Sequence, residues 1–281
     1  MTVRQIGAIT AATVLALGLA ACGDSGSSSG GSGSSGGGGG TFKVGIKFDQ
    51  PGLGLKEGST YTGLDVDVAK YVAKELGHAE GDITWVQAPS AQRETLISTG
   101  QVDMVVATYS ITDARKEKVS FAGPYFIAGQ DLLVRADDTS ITGPDTLDGK
   151  KLCSVTGSTS AQKVKDTYPA VQLQEFATYS ECLPALANGG VDALTTDDTI
   201  LAGFAAQPEY AGKFKVVGKP FSEEKYGIGL KKGDTATCEK VNAAISKMVS
   251  DGSWQKAIDT NLGPAGYKPG TGNPPTPAAC S

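Results

Sequence analysis

Apolar and polar positions along the chain fall into two alternating rhythms. Phe42 to Phe48 alternates apolar and polar residues, the period-two pattern of a strand, whereas Leu64, Val68, Tyr71, Val72 and Leu76 recur at helical spacing up to Gly77. Ile83 to Val86 then reads as a strand, Ala91 to Ser98 as a helix and Asp103 to Ala107 as a buried strand. The alternation resumes with a strand over Lys151 to Val155, a helix from Ser160 to about Tyr168 and a strand near Val171 to Gln174. A helix from Tyr179 to Asn188 and a strand over Ala193 to Thr196 complete it. Such a pattern predicts α/β sheets with helices on their faces, in two similar halves. Phe121 to Tyr125 and Gln130 to Arg135 lead out of the first half. Tyr226 to Leu230 leads back, followed by helices over Cys238 to Val249 and Ser253 to Leu262. The expected layout is a first lobe from 41–128 and 224–268, a second lobe, 129–223, inserted into it, and two crossing strands as the hinge. Ligands of open α/β sheets sit beyond the carboxyl ends of the strands, so the loops after Phe48, Val86, Ala107, Val155 and Thr196 should line the cleft.

Outside this pattern lies the amino terminus, where Arg4 precedes an apolar run from Ile6 to Ala21 that ends Leu19-Ala20-Ala21-Cys22. The run is short and rich in Ala and Gly, which marks 1–21 as a secretory signal rather than a membrane span. Small residues running straight into a cysteine resemble the lipobox of bacterial lipoproteins, a likeness that implies cleavage before Cys22 and a lipid on its thiol. From Gly23 to Gly40 every residue but Asp24 is Gly or Ser. That composition predicts a flexible tether reaching roughly 20 to 25 Å. The expected location is the extracytoplasmic face of the cell membrane, lipid-anchored.

A net charge of −5, with no basic patch interleaved with aromatics, gives no footprint for nucleic acid. Besides Cys22 there are four cysteines, Cys153, Cys182, Cys238 and Cys280, an even number in an exported chain. They read as two disulfides with three possible connectivities. Pairing Cys153 with Cys182 would tie a strand to the following helix. Pairing Cys238 with Cys280 would pin the Pro-rich tail, 269–281, to the last helical region, and these two pairs are the expectation. No metal site is expected, because the cysteine spacings do not fit zinc and the single histidine, His78, stands beside Gly77 at a helix end, where a solvated role is the simpler one.

Four ordered motifs narrow the function. They are Gly63-Leu64-Asp65-Val66-Asp67-Val68-Ala69, Gly100-Gln101-Val102-Asp103, Ser110-Ile111-Thr112-Asp113-Ala114-Arg115 and Phe121-Ala122-Gly123-Pro124-Tyr125. Together they resemble family 3 of the bacterial solute-binding proteins, in its glutamate/glutamine/aspartate branch, over about Lys43 to Leu262. The resemblance implies a two-lobed, periplasmic-binding-protein-like (type II) α/β fold with two hinge crossovers. It also implies a monomeric substrate-binding subunit that passes an amino acid to an ABC permease.

A free amino acid presents a carboxylate and an ammonium, so a selective site needs a fixed cation and a fixed anion on opposing walls. By the resemblance, Arg115 clamps the α-carboxylate, aided by Ser110, by groups near Thr108 and by the loop carrying Thr156, Ser158 and Thr159. Asp197 takes the ammonium, with Asp198 as rival or helix cap. Ser90 and Arg93 resemble the Ser-x-x-Arg element that reaches a distal carboxylate, and Lys47 stands where such binders carry a second cation. Two distal cations imply a second anion, since a neutral glutamine side chain would leave a buried charge underpaired at a cost of roughly 2 to 5 kcal/mol; glutamate is the expected ligand, with glutamine, aspartate or asparagine as alternatives. Tyr179 occupies a place where some relatives present a His. The first loop, Phe48 to Gly54, departs from the pattern by lacking the stacking aromatic, for which Phe48 or Leu53 could stand in, and Val155 replaces a polar group.

Enzyme activity is not expected, because no candidate cleft residue is a histidine or an isolated glutamate, and no phosphate loop or Gly-x-Ser-x-Gly elbow occurs. No cofactor is expected. The same clam-shell could instead report amino-acid levels to a membrane signalling partner, a role the residues do not separate from transport.

Overall fold

A computed structural model describes residues 41–280; the signal segment, Cys22 and the tether lie outside the described residues. In chain order the elements begin with β1 (Phe42–Ile46), a small ribbon of β2 (Asp49–Gln50), β3 (Gly54–Glu57) and β4 (Thr60–Thr62), α1 (Leu64–Glu75), β5 (Ile83–Gln87), α2 (Arg93–Ser98), β6 (Met104–Val105), α3 (Asp113–Lys116) and β7 (Ser120–Ala128). There follow β8 (Gln130–Arg135), β9 (Lys151–Val155), α4 (Thr159–Thr167), β10 (Gln172–Phe176), α5 (Cys182–Ala187), β11 (Ala193–Asp197), α6 (Asp198–Ala205) and β12 (Phe214–Val216). The last are β13 (Glu224–Leu230), α7 (Thr235–Ser250) and α8 (Ser253–Asn261).

Local chemistry explains the principal helices. On α1, Leu64, Val68, Ala69, Val72 and Ala73 form the buried stripe, Asp65 and Asp67 lie in the first turn and Lys74 in the last, each sign where the helix dipole favours it. The Ser158 hydroxyl caps α4 by accepting from the Ala161 N–H at 2.9 Å, and the Asp234 carboxylate caps α7 by accepting from Thr237 N–H at 3.1 Å. α5 starts later than the apolar pattern suggests, at Cys182 rather than Tyr179. Its proline, Pro184, then falls in the first turn, where a missing N–H breaks no helical bond.

Two five-stranded sheets repeat one plan. The first is ordered β5-β1-β6-β13-β7 and the second β10-β9-β11-β8-β12. In each, three parallel strands are followed by one antiparallel to them, β13 or β8, and by an edge strand, β7 or β12, that is antiparallel to that one and so runs with the first three. Both ends of the described chain feed the first sheet, and the second is built wholly from β8 to β12. Gly129 joins β7 to β8. The return path runs alongside, with Gln130 N–H donating to Ser222 Oγ at 3.2 Å and Phe221 N–H to Gln130 O at 2.9 Å. Beyond α8 the tail lies along β7, the edge of the first sheet. Asn273 bonds both the N–H and the carbonyl of Ile127, and Ala278 N–H donates to Gly123 O. Disulfides join Cys153 to Cys182 and Cys238 to Cys280, each with Cα atoms 5.9 Å apart. No described helix is long and apolar enough to cross a membrane.

Candidate functional site

The carboxyl ends of the parallel strands converge from both sheets. Lys47 follows β1, Ser90 and Arg93 follow β5, and Thr108, Ser110 and Arg115 follow β6. From the other side, Thr156, Ser158 and Thr159 follow β9, Tyr179 follows β10 and Asp197 ends β11. Lys47, Ser90, Arg93, Thr108, Ser110, Arg115, Ser158, Tyr179 and Asp197 are all buried. Thr159 is half-buried, while Thr156 is exposed and its N–H is engaged by Phe176 O at 3.0 Å, so Thr156 stands apart from the others.

The first wall is cationic. Lys47 Nζ donates to Ser90 Oγ at 2.8 Å. Burial, then the neighbouring Arg93, pull its pKa down from 10.5 to about 7. Arg93 is 2% exposed, lies 4.1 Å from the Tyr109 ring centroid and donates through Nη1 to Ala107 O at 2.9 Å. Among the described residues, its Nε and Nη2 meet no acceptor, which leaves one whole edge of the guanidinium open to a planar anion. Burial and then Arg115 lower its pKa to about 10.

Arg115 spans the two sheets. Its Nη1 donates to Ser110 O at 2.8 Å and its Nη2 to Gly157 O at 3.0 Å, while Nε lies 3.4 Å from Glu94 Oε1. A guanidinium has five N–H donors, so two remain without a partner among the described residues. Ser110 Oγ and Thr159 Oγ1 stand 3.4 Å apart across the same gap, and Asp49 accepts from Ser180 N–H at 3.2 Å. Two glycines permit this close approach. A Cβ on Gly157 would stand 2.8 Å from Ala91 Cα, and one on Gly203 of α6 only 2.2 Å from the Pro51 carbonyl oxygen.

The second wall is acidic, and its two aspartates divide the work. Asp198 Oδ1 accepts from the N–H groups of Gly129 and Thr199 and from the Tyr267 hydroxyl. Asp197 receives only the Tyr226 hydroxyl, 2.6 Å from Oδ2, and its buried Oδ1 has no partner among the described residues. Burial, then Glu224, push its carboxyl well above the usual carboxylate range. Tyr179 is close enough for Asp197 to raise its hydroxyl's pKa after burial has done so.

Opposed charges of this kind, set at strand ends on two like sheets, fit capture of a zwitterion, and the comparisons agree. Residues 42–264 match the bacterial extracellular solute-binding proteins, family 3. The chain belongs to that family. It is 51% identical over 274 residues to the glutamate-binding protein GluB of Corynebacterium glutamicum, covering 93% of this chain and 92% of that protein. It is 36% identical to the ABC transporter glutamine-binding protein GlnH of Bacillus subtilis, covering 85% of this chain and 89% of that protein. Among solved structures, an ancestral arginine-binding protein bound to glutamine superposes with a TM-score of 0.74 at 35% identity, covering 80% of this chain and 98% of that one. Family membership places the chain outside the cytoplasm as a binding protein rather than an enzyme.

Within the family's shared frame, this member carries residues that its apolar pattern did not single out. Gln50 is fully buried, accepts the Thr108 hydroxyl on Oε1 at 3.2 Å and has no acceptor for Nε2 among the described residues. Thr196, beside Asp197, likewise has a buried, unpartnered hydroxyl. Tyr226, read only as part of a strand, orients Asp197. Of the two substitutes for the missing aromatic, Leu53 joins the core and Phe48 packs on Tyr61 at 5.3 Å. His78 is half-buried and stacks on Phe42 with centroids 4.2 Å apart. Among the described residues no group of three or more His, Cys, Asp or Glu is placed to hold a metal ion.

Proposed function

We propose that this protein is the substrate-binding subunit of an ABC amino-acid importer and that its ligand is L-glutamate. The observation that carries the reading is the open Nε and Nη2 edge of buried Arg93 beside buried Lys47, across from the bare Oδ1 of Asp197. In this reading the ligand's α-carboxylate takes the two free donors of Arg115, with Ser110 and Thr159 beside them, and its ammonium takes Asp197 Oδ1. Its side-chain carboxylate then meets Arg93 and Lys47. Lys47 and Arg93 bring two buried positive charges to one place, and a ligand side-chain carboxylate answers them. A neutral amide brings no charge to meet them. The similarity to glutamate-binding GluB supports the same choice.

The binding cycle proposed here is closure of a lobe formed by 41–128 and 224–268 on the lobe 129–223. Bending occurs where Gly129 and Ser222 to Glu224 cross, and Arg115 to Gly157, Asp49 to Ser180 and Gly203 on Pro51 are the contacts made on closing. The closed form, tethered through Cys22 and 22–40 to the outer face of the membrane as a monomer, delivers glutamate to the permease. Cells from which the chain is deleted should lose high-affinity glutamate uptake and regain it with the wild-type gene but not with Asp197→Ala. Full uptake in the deletion strain, or rescue by Asp197→Ala, would refute the assignment.

A further inference from the structure

Behind the cationic wall, Asp65 occupies a position that neither helix capping nor ligand contact explains. It lies in the first turn of α1 yet is 0% exposed, and its carboxylate bonds nothing in its own helix. Oδ2 instead accepts from the Thr108 N–H at 2.9 Å, and Oδ1 accepts from the Tyr125 hydroxyl at 2.6 Å. Thr108 is the one non-glycine residue among those described with positive φ, at 43°. A β-branched side chain is strained there, and such a conformation persists only where its surroundings hold it. The backbone so held carries the Ala107 and Thr108 carbonyls, 2.9 Å and 3.4 Å from Arg93 Nη1. It also carries the hydroxyl that meets Gln50.

We propose that Asp65 is a positioning residue of the ligand cleft: by accepting the Thr108 N–H it holds Thr108 left-handed and so sets the carbonyls that aim Arg93. The chain of contact runs from Asp65 through the Thr108 backbone to the guanidinium, without Asp65 touching the ligand. This inference rests on the amino-acid-binding reading above. A second role compatible with burial, that of a plain counter-charge to Lys47 and Arg93, makes a different forecast. It requires the charge itself and is indifferent to the residue at 108.

The test is a double-mutant cycle of Asp65→Ala and Thr108→Gly, with glutamate affinity measured by titration calorimetry and folding followed by thermal melts. In the Thr108 background, Asp65→Ala should weaken glutamate binding about tenfold or more. In the Thr108→Gly background the same substitution should weaken it about threefold or less, because glycine adopts positive φ without support. Asp65→Asn, which keeps an acceptor but no charge, should recover most of the affinity lost in Asp65→Ala. Equal losses in both backgrounds, or an Asp65→Asn defect as deep as that of Asp65→Ala, would overturn the positioning role. If Asp65→Ala alone does not fold, the double variant should fold and bind; a double variant that stays unfolded also counts against it. A wild-type protein that binds no amino acid sinks the parent reading and this one together, whereas a wild type that binds without coupling sinks only this one.

Discussion

Replacing Arg93 with methionine keeps the unbranched apolar stem of the side chain and removes its guanidinium. The structure gives the consequences a scale. Arg93 is 2% exposed, and its free edge is aimed where a second ligand carboxylate would lie, so glutamate loses a desolvated charge pair. Such pairs are worth about 2 to 5 kcal/mol, equivalent to a rise in Kd of roughly 30- to 4,000-fold. Glutamine presents a neutral group at the same place and loses at most a hydrogen bond of about 0.5 to 1.5 kcal/mol, roughly 2- to 12-fold. The selectivity for acid over amide should therefore fall steeply in Arg93→Met while glutamine binding survives. Calorimetric titration of both ligands against wild type and variant reads this directly, and glutamine serves as the control for a folded cleft, since the variant also loses the stack on Tyr109 and the bond to Ala107 O. Equal losses for glutamate and glutamine would refute the assignment of Arg93 to the side-chain carboxylate.

Closure can be blocked without touching the charged groups. Gly203→Ala places a Cβ 2.2 Å from the Pro51 carbonyl oxygen, so glutamate affinity should drop at least tenfold. The unliganded melting temperature should hold or rise, because alanine is favoured over glycine inside a helix by about 0.5 to 1 kcal/mol; unchanged affinity would contradict the contact. Lys47, lowered to about 7 by burial, should take up a proton when a carboxylate arrives. Near pH 8 the glutamate binding enthalpy should then vary with the buffer's ionisation enthalpy, affinity should decline as pH rises above 7, and glutamine should show a smaller dependence. In the unliganded protein the unfolded chain binds more protons between about 7 and 10.5, so Lys47 makes the fold more stable as pH rises through that window, as denaturant melts can check. Cys280→Ser opens a loop of 42 residues and should lower stability by up to about 4 kcal/mol in urea, with glutamate affinity shifting less than about threefold.

What the sequence disclosed followed burial. The stripe on α1 was legible because Leu64, Val68 and Val72 face one core, and the strands β9 and β11 because they are buried on both faces. Where strands are short or polar the pattern fails. Phe48 to Gly54 reads as a loop but holds β2 and the start of β3, in the ribbon that β4 completes, and the edge strand β12 spans only Phe214–Val216. The strand expected over Asp103 to Ala107 contracts to Met104–Val105, since its neighbours pair with it only at those two residues. In the cleft, the charged candidates were accessible because a zwitterion dictates their signs. Gln50 and Asp65 were not, because nothing in their residue type or spacing signals complete burial. The resemblance favoured Asp197 over Asp198, and the donors that separate the two, three on Asp198 Oδ1 and one on Asp197 Oδ2, are what neighbouring positions in the chain do not reveal.

Glutamate and glutamine differ by one oxygen and one charge, and Lys47 with Arg93 is proposed to read that difference. Titrating the wild-type protein with each ligand at pH 6.5, where Lys47 is mostly charged, measures it in a single pair of experiments. Glutamate should bind at least about 30-fold more tightly, the equivalent of roughly 2 kcal/mol for one buried cation left without its partner. Glutamine binding as tightly as glutamate, or more so, would contradict the two-cation wall as the source of specificity.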